Sequence, residues 1–181
     1  NFCAQISILA YQILWSSEVE TAFDKLEQGK ENAMQQALHQ VEGRLAALTE
    51  STQRDLSAGD RSKIVTLITM EVHSRDVTQT LADTKVDSVT AFAWLSQLRY
   101  YSSDTIESQA KIADASFPYG FEYIGNCGRL VITPLTDRCY ITLTQALRLN
   151  MGGAPAGPAG TGKTETTKDL GRALGVMVYV F

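Results

Sequence analysis

A short segment near the end of the chain combines residue types that suit the binding of a triphosphate. Gly157, Gly162, Lys163 and Thr164 complete the pattern G-x-x-x-x-G-K-[ST]. Glycine adopts backbone dihedrals that are closed to other residues, so successive amide N–H groups can turn inward around a phosphate. The segment predicts a site for a nucleoside triphosphate, with ATP favoured. Its residues are Gly157, Pro158, Ala159, Gly160, Thr161, Gly162, Lys163 and Thr164.

Two side chains of this segment have predicted roles of their own. Lys163 would supply a compact positive charge to the β and γ phosphates, and the Thr164 hydroxyl would ligate the Mg²⁺ that bridges them. Glu165 follows directly and could be read as a base, but an acid in the first turn of a helix also favours the helix dipole. We therefore interpret Glu165 as structural. A glycine-rich surface turn without a ligand is the alternative interpretation of the whole segment.

The residues after this loop predict the elements that would position it. Residues 164–174 are typical of a helix that Gly175 ends, and residues 176–181 of a buried strand. The order loop, helix, strand favours the beginning of a parallel α/β sheet. A strand before the loop is poorly marked, since residues 147–156 carry few β-branched side chains. Residues 117–133 suggest short extended segments, and residues 137–149 a helix.

The first part of the chain predicts a helical region. All four prolines lie at or after Pro118, and a long stretch without proline suits helices. Further helices are predicted at 3–28, 60–82 and 88–100, with Asp60 as an N-cap. The aromatic residues near 92–101 are read as core rather than as a surface that stacks on a base. A helical stripe that favours a bundle over a coiled coil is formed by Met34, Leu38, Val41, Leu45 and Leu48.

Composition excludes several classes of protein. The net charge is −4, which argues against a nucleic-acid partner held by bulk electrostatics. Three cysteines without C-x-x-C spacing favour buried thiols in a reducing compartment such as the cytoplasm. No apolar run approaches the roughly 18 residues needed to cross a bilayer, so no membrane span is expected. The start at Asn1 and the end within an apolar run at Phe181 favour a piece of a longer protein.

Longer motifs around the loop resemble the first AAA+ module of dynein heavy chains. The run from Leu130 to Tyr140 and the run from Gly152 to Thr166 are similar to the opening of that module. Residues 94–101 and 119–126 look like the end of the dynein linker and its junction with the module. The continuation over residues 166–171 is more similar to axonemal than to cytoplasmic dyneins. The expected fold is an α-helical linker region followed by the beginning of an α/β P-loop (AAA+) nucleotide-binding domain.

The resemblance implies how the chain would be divided and what it would do. Residues 1–118 would be the C-terminal portion of the linker, and residues 119–181 the truncated N-terminal part of the first ATPase module. The parent would be a microtubule motor of the cytoskeleton in a cilium or flagellum axoneme, with dynein intermediate and light chains as partners. ATP and Mg²⁺ would bind at the loop. The resemblance further implies an adenine pocket of Ile132, Thr133, Pro134 and Leu135.

Catalytic residues are not expected within the chain. The resemblance implies that hydrolysis needs an acid on a later strand and an arginine from a neighbouring module, so the isolated piece should be inactive. Another P-loop enzyme, such as a nucleotide kinase or a GTPase, is a competing reading of the loop. A non-catalytic helical scaffold with an incidental loop is a third.

Overall fold

The computed structural model describes residues 3–102 and 107–181, which divide into two units. The first unit runs as far as Trp94 and also includes Gly125–Val131. The second consists of the described residues of Leu95–Ile124 together with Ile132–Phe181. None of the helices in the described ranges is long and apolar enough to cross a membrane.

Three long helices build the first unit: α1 (Ala4–Glu27), α2 (Ala33–Ser51) and α3 (Ala58–Asp83). They confirm the predicted helices at 3–28 and 60–82 to within two residues at each end. The stripe on α2 lies inward, since Met34, Leu38, Val41 and Leu48 are buried, and α2 packs against both α1 and α3. A bundle rather than a coiled coil is therefore confirmed.

The N-cap of α3 differs from the prediction by three residues. Ser57, and not Asp60, is the N-cap, because the Ser57 hydroxyl accepts a hydrogen bond from the Asp60 backbone N–H at 3.1 Å. Asp60 lies inside the first turn, where its carboxylate accepts a hydrogen bond from the same hydroxyl and favours the positive end of the helix. Both residue types cap helices, and here the serine occupies the capping position.

Aromatic rings fill the centre of this unit. The Trp94 ring lies 5.3 Å from the Trp15 ring in an edge-on arrangement and 6.1 Å from the Phe23 ring. Trp94 and Phe23 are fully buried. The Trp15 indole N–H donates to the Thr78 hydroxyl on α3 at 3.0 Å, so its one polar atom is satisfied. The prediction that Trp94 belongs to a core is confirmed, whereas Phe92 is 69% exposed.

The helix predicted at 88–100 is wrong over most of its length. Only one turn forms, α4 (Phe92–Leu95), and three antiparallel strands follow. These strands are β1 (Arg99–Ser102), β2 (Ser108–Ile112) and β3 (Ala115–Pro118), in the order β1-β2-β3. The expectation of a helical region up to residue 118 therefore fails from Arg99 onward. Pairing between strands, with Tyr100 opposite Ala110, overrides the helical spacing of the aromatic residues.

Two more helices complete the second unit: α5 (Pro134–Arg148) and α6 (Lys163–Leu174). Both helices were predicted, but the predicted start of α5 was three residues too late. The strand predicted at 176–181 is wrong, because these residues have no ladder partner in the described part of the chain. Tyr179 is 74% exposed and Val180 59%. Extended segments predicted after Pro118 are likewise irregular backbone up to α5.

Candidate nucleotide-binding site

The glycine-rich loop leads directly into α6. Gly162 is the N-cap of that helix, with φ at +78°, and Gly160 has φ at +80°. Side chains are strained in this left-handed region, so glycine is required at both positions. No side chain caps the helix start. The backbone N–H groups of the first turn, which have no acceptor within a helix, therefore lie beside the loop.

The Lys163 side chain folds back over the loop. Its amine donates to the Gly157 carbonyl at 2.8 Å and to the Pro158 carbonyl, and it lies 3.4 Å from the Thr161 hydroxyl. Thr161 in turn donates to the Pro158 carbonyl at 2.9 Å. The amine is thus held at the loop that would surround a phosphate. A triphosphate would offer it acceptors that carry full negative charge in place of carbonyls.

The next two residues on α6 have different surroundings. Thr164 is exposed in the first turn, and its contact with Mg²⁺ stays a prediction. Glu165 pairs with Lys168 at 2.8 Å, and this hydrogen bond lowers the pKa of the Glu165 carboxyl. A base for catalysis would need a pKa nearer neutrality. Glu165 lies in the first turn of α6, as the sequence predicted, and its structural role stays an interpretation that this pairing supports.

A buried hydrogen bond ties the middle of α6 to α5. The Tyr140 hydroxyl on α5 donates to the Asp169 carboxylate on α6 at 2.5 Å, and both side chains are fully buried. Arg172 lies 3.9 Å from the same carboxylate and supplies a positive charge. Sequence reasoning did not select Tyr140 or Asp169. Their spacing of 29 residues carries no local signal.

Gly171 allows the chain after α6 to return against the helix. A Cβ built on Gly171 would lie 2.2 Å from the Val178 side chain and 3.0 Å from the Val176 carbonyl. No side chain fits at that distance, so the segment after the helix packs directly on its backbone. Val176 and Val178 therefore cover one side of α6.

The segment assigned to adenine forms the start of α5. Thr133 is the N-cap, and a capping box joins it to Thr136: the Thr133 hydroxyl accepts from the Thr136 N–H, and the Thr136 hydroxyl accepts from the Thr133 N–H at 2.6 Å. Pro134 begins the helix, where proline is favoured. Leu135 is 70% exposed and Ile132 half-buried. Their contact with adenine stays a prediction.

A cavity lies one turn further along α5. Its volume is about 280 Å³, and Arg138, Cys139, Thr142 and Leu143 line it together with the four residues before the loop, 153–156. Gly153 approaches Leu143 so closely that a Cβ would lie 2.3 Å from the leucine side chain. In the first turn of α5, burial raises the pKa of Asp137 to about 6. Cys139, Leu143 and Gly153 were not assigned to a site from the sequence.

Known proteins resemble this chain over nearly its whole length. Residues 119–181 match the family model described as the hydrolytic ATP binding site of dynein motor region. Dynein axonemal heavy chain 9 of Homo sapiens is 56% identical over 179 residues, which is 98% of this chain. The ciliary dynein beta chain of Heliocidaris crassispina is 54% identical over 100% of this chain, and the flagellar outer arm dynein beta chain of Chlamydomonas reinhardtii 51% over 99%.

The same comparisons fix how much of a relative the chain represents. It spans about 4% of the length of each of these three relatives. The matched ranges cover the helical unit as well as the loop, so the resemblance does not rest on the glycine-rich motif alone. The chain belongs to the dynein heavy-chain family.

Proposed function

We propose that this chain is the part of an axonemal dynein heavy chain in which the end of the linker meets the ATP site of the first AAA+ module. The observation that carries the proposal is the loop from Gly157 to Thr164, with its two left-handed glycines and the Lys163 amine held over it. The match of residues 119–181 to the hydrolytic ATP site of the dynein motor region supports the same conclusion.

Within that site each residue has a distinct role. Backbone N–H groups of Gly157 and of residues 159–164 surround the phosphates, Lys163 neutralises the β and γ phosphates, and Thr164 ligates Mg²⁺. Bound Mg²⁺ supplies charge that stabilises the transferring phosphoryl group. The exposed Leu135 and its neighbours from Ile132 contact adenine through apolar and backbone groups.

The proposed division of the chain follows the family model. Residues 1–118 are the C-terminal portion of the linker and residues 119–181 the beginning of the AAA+ P-loop module, since the match starts at Tyr119. The units of the structure divide earlier, after Trp94. The sheet of β1, β2 and β3 is then the last part of the linker in sequence and shares a unit with the ATP loop.

The whole heavy chain would act as an ATPase motor on microtubules. Nucleotide binding and hydrolysis in the first module would move the linker, and intermediate and light chains would bind elsewhere in the heavy chain. The named relatives are axonemal, ciliary and flagellar, which supports a place in the axoneme of a cilium or flagellum. The residues that complete hydrolysis would lie in other parts of the heavy chain, so the 181-residue chain by itself should not turn over ATP.

Replacement of one lysine tests this function. In a heavy chain that contains this segment, Lys163→Ala should raise the Kd for MgATP at this site by roughly tenfold to a hundredfold, because a charge-assisted contact to phosphate is lost. Lys168→Ala is the matched control, since it removes the same charge five residues along α6, where Lys168 pairs with Glu165. Its Kd should stay within about twofold.

Two results would contradict the proposal. Equal Kd values for Lys163→Ala and Lys168→Ala, measured with a fluorescent ATP analogue, would show that the loop is an incidental turn. ATP turnover by the isolated 181-residue chain, abolished by Lys163→Ala, would show that the active site is complete within these residues.

A further inference from the structure

The C-terminal end of α6 poses a question of hydrogen bonding. The last four carbonyls of a helix receive no hydrogen bond from within the helix, so they need donors from elsewhere. In α6 these carbonyls belong to residues 171–174. The turn after the helix serves the first two: the Val176 N–H donates to Gly171 at 2.9 Å and the Gly175 N–H to Arg172 at 3.2 Å. With Gly175 at φ +68°, this is a Schellman motif.

The other two carbonyls receive donors from distant parts of the chain. The Tyr100 hydroxyl on β1 donates to the Ala173 carbonyl at 2.9 Å, and the Gly120 N–H donates to the Leu174 carbonyl at 2.9 Å. Tyr100 and Ala173 are each 1% exposed, so water does not replace the hydroxyl. All four carbonyls are thus satisfied, two of them by residues from the sheet and the segment that follows it.

The segment after β3 continues these contacts past the helix end. The Glu122 N–H donates to the Gly175 carbonyl at 2.9 Å, and the Glu122 carboxylate accepts a hydrogen bond from the Met177 N–H at 2.7 Å. A Cβ on Gly175 would lie 2.6 Å from the Tyr119 ring, so ring and backbone are in direct contact. The end of α6 is therefore enclosed by a clamp, which we define as Tyr100 and residues 119–122.

The position of Tyr100 within the clamp is itself fixed. Tyr100 pairs with Ala110 on β2, and its neighbour Tyr101 pairs with Gln109. Its ring is buried, which restricts it to one rotamer. The hydroxyl is thus a donor held by a three-stranded sheet rather than by a loop.

A helix transmits a displacement from one end to the other. From Asp169, which Tyr140 holds, the helix axis runs about 6 Å to Ala173 and about 7.5 Å to Thr164 at 1.5 Å per residue. A tilt about Asp169 that moves Ala173 would therefore move Thr164 by a similar distance in the opposite direction. Misplacement of a binding group by 1 Å is enough to lower a rate by orders of magnitude.

We propose that Tyr100 is a positioning residue for the nucleotide site: through its hydrogen bond to Ala173 it fixes the direction of α6 and hence the places of Lys163 and Thr164. The inference rests on the proposed binding of MgATP by the loop. It makes the sheet of β1, β2 and β3 a support of the ATP site. A movement of the linker that displaces β1 would then alter how the loop holds the phosphates.

Tyr100→Phe tests the inference, because it removes the hydroxyl and keeps the ring that fills the core. The variant is made in a heavy chain that contains this segment, and ATP turnover is measured together with hydrogen exchange of the amides of residues 163–170 and 171–178. We expect turnover to fall roughly tenfold and exchange at Thr166, near the start of α6, to rise by a similar factor, as a buried carbonyl loses its donor.

Tyr101→Phe is the matched control. It removes a hydroxyl from the next residue of β1, where the hydroxyl accepts a hydrogen bond from Arg99 at 3.1 Å. Turnover and exchange in α6 should stay within about twofold of the parent chain. A thermal melt checks that both variants are folded. If Tyr100→Phe unfolds the protein, the ring has not preserved the packing, and the inference that the hydroxyl acts through α6 is rejected.

The outcomes separate this inference from the proposed function. If Tyr100→Phe raises exchange only in residues 171–178 and leaves turnover unchanged, Tyr100 has a local role alone and the inference fails. The proposed function would still stand if Lys163→Ala weakened MgATP binding. If Lys163→Ala has no effect while Tyr100→Phe alters exchange at Thr166, the proposed function fails and the clamp remains a structural finding.

Discussion

The first unit of the structure, here the helical unit, and the second, the nucleotide unit, are each stabilised by different internal interactions. In the helical unit the large side chains Trp15, Phe23 and Trp94 are buried against one another. In the nucleotide unit, Tyr179, Val180 and other apolar side chains after α6 are exposed. In that unit, specific hydrogen bonds stabilise the helix ends: Thr133 caps α5, and the clamp encloses the end of α6.

This difference indicates where each unit is sensitive to substitution. A core of interlocked rings loses stability when volume is removed, because the cavity left behind is not filled. A helix end that depends on specific donors and on a left-handed glycine loses stability when one atom is added or removed. Substitutions of the two kinds should therefore have different sizes and affect different probes.

The largest effect is expected from removal of the central ring of the helical unit. Trp94→Ala should lower the free energy of unfolding of that unit by about 4 kcal/mol, because a fully buried indole is replaced by a cavity. Urea unfolding of the 181-residue chain, followed by Trp15 fluorescence, measures it. Both tryptophans lie in this unit, so the signal reports on it alone.

The exposed Phe92 provides the control. Phe92→Ala removes an aromatic ring that is 69% exposed and should change the same free energy by less than about 0.5 kcal/mol. Similar losses for Trp94→Ala and Phe92→Ala would mean that the aromatic core does not stabilise the helical unit.

A charged cluster within the helical unit should give the next largest effect. Arg44 on α2 lies 2.6 Å from Glu18 on α1 and 3.5 Å from Glu71 on α3, and Glu71 is 2% exposed. Burial raises the pKa of Glu71, and Arg44 opposes that shift. Arg44→Met should therefore cost about 3 kcal/mol at neutral pH, since it leaves a buried carboxylate without its counter-charge.

The loss in Arg44→Met should depend on pH. Without Arg44 the pKa of Glu71 in the folded chain rises further above its unfolded value of 4.5. Stability is then greatest below that value and is lost as the pH rises through the folded pKa. Urea unfolding at pH 5 and pH 8 should show the smaller deficit at pH 5, and Arg44→Met with Glu71→Leu should recover most of it. A deficit that is equal at both pH values would exclude Glu71 as its cause.

The smallest effect, with opposite signs in the two units, is expected from a single methyl group. Gly175→Ala should destabilise the end of α6 by about 2 kcal/mol, because alanine is strained at φ +68° and its Cβ would meet the Tyr119 ring. Gly43→Ala on α2 meets nothing within 4 Å and should stabilise that helix by about 0.5 kcal/mol or more. Hydrogen exchange of α6 and urea unfolding of the helical unit measure the two changes. The same sign in both would show that the end of α6 is not constrained.

The sequence predicted what is local and periodic. Helices α1, α2, α3, α5 and α6 followed from apolar spacing, and the end of α6 at Gly175 from the preference of glycine for left-handed backbone. The glycine-rich loop was found because its chemistry depends on neighbouring residues. For each of these, the signal lies within about one turn of the residue concerned.

The sheet and the clamp could not be predicted because they depend on pairing at a distance. On β2, burial alternates through Ser108, Ala110 and Ile112, but serine and alanine are poor markers of a strand. The absence of proline before residue 118 permitted a helix without requiring one. The bond from Tyr100 to Ala173 spans 73 residues. Conversely, residues 176–181 have strong strand preference and form no strand, since a strand requires a partner.

The filled carbonyls at the end of α6 also give the helix a chemical polarity. Its negative pole is neutralised within the protein, by Tyr100, Gly120 and the turn at Gly175. At its positive pole, beside Lys163, the first turn has no side-chain cap. Along the helix axis, the loop end is thus the end that favours an anion, such as the phosphates of the proposed ligand. The fold therefore selects both the location and the sign of charge of the ligand before any side chain contacts it.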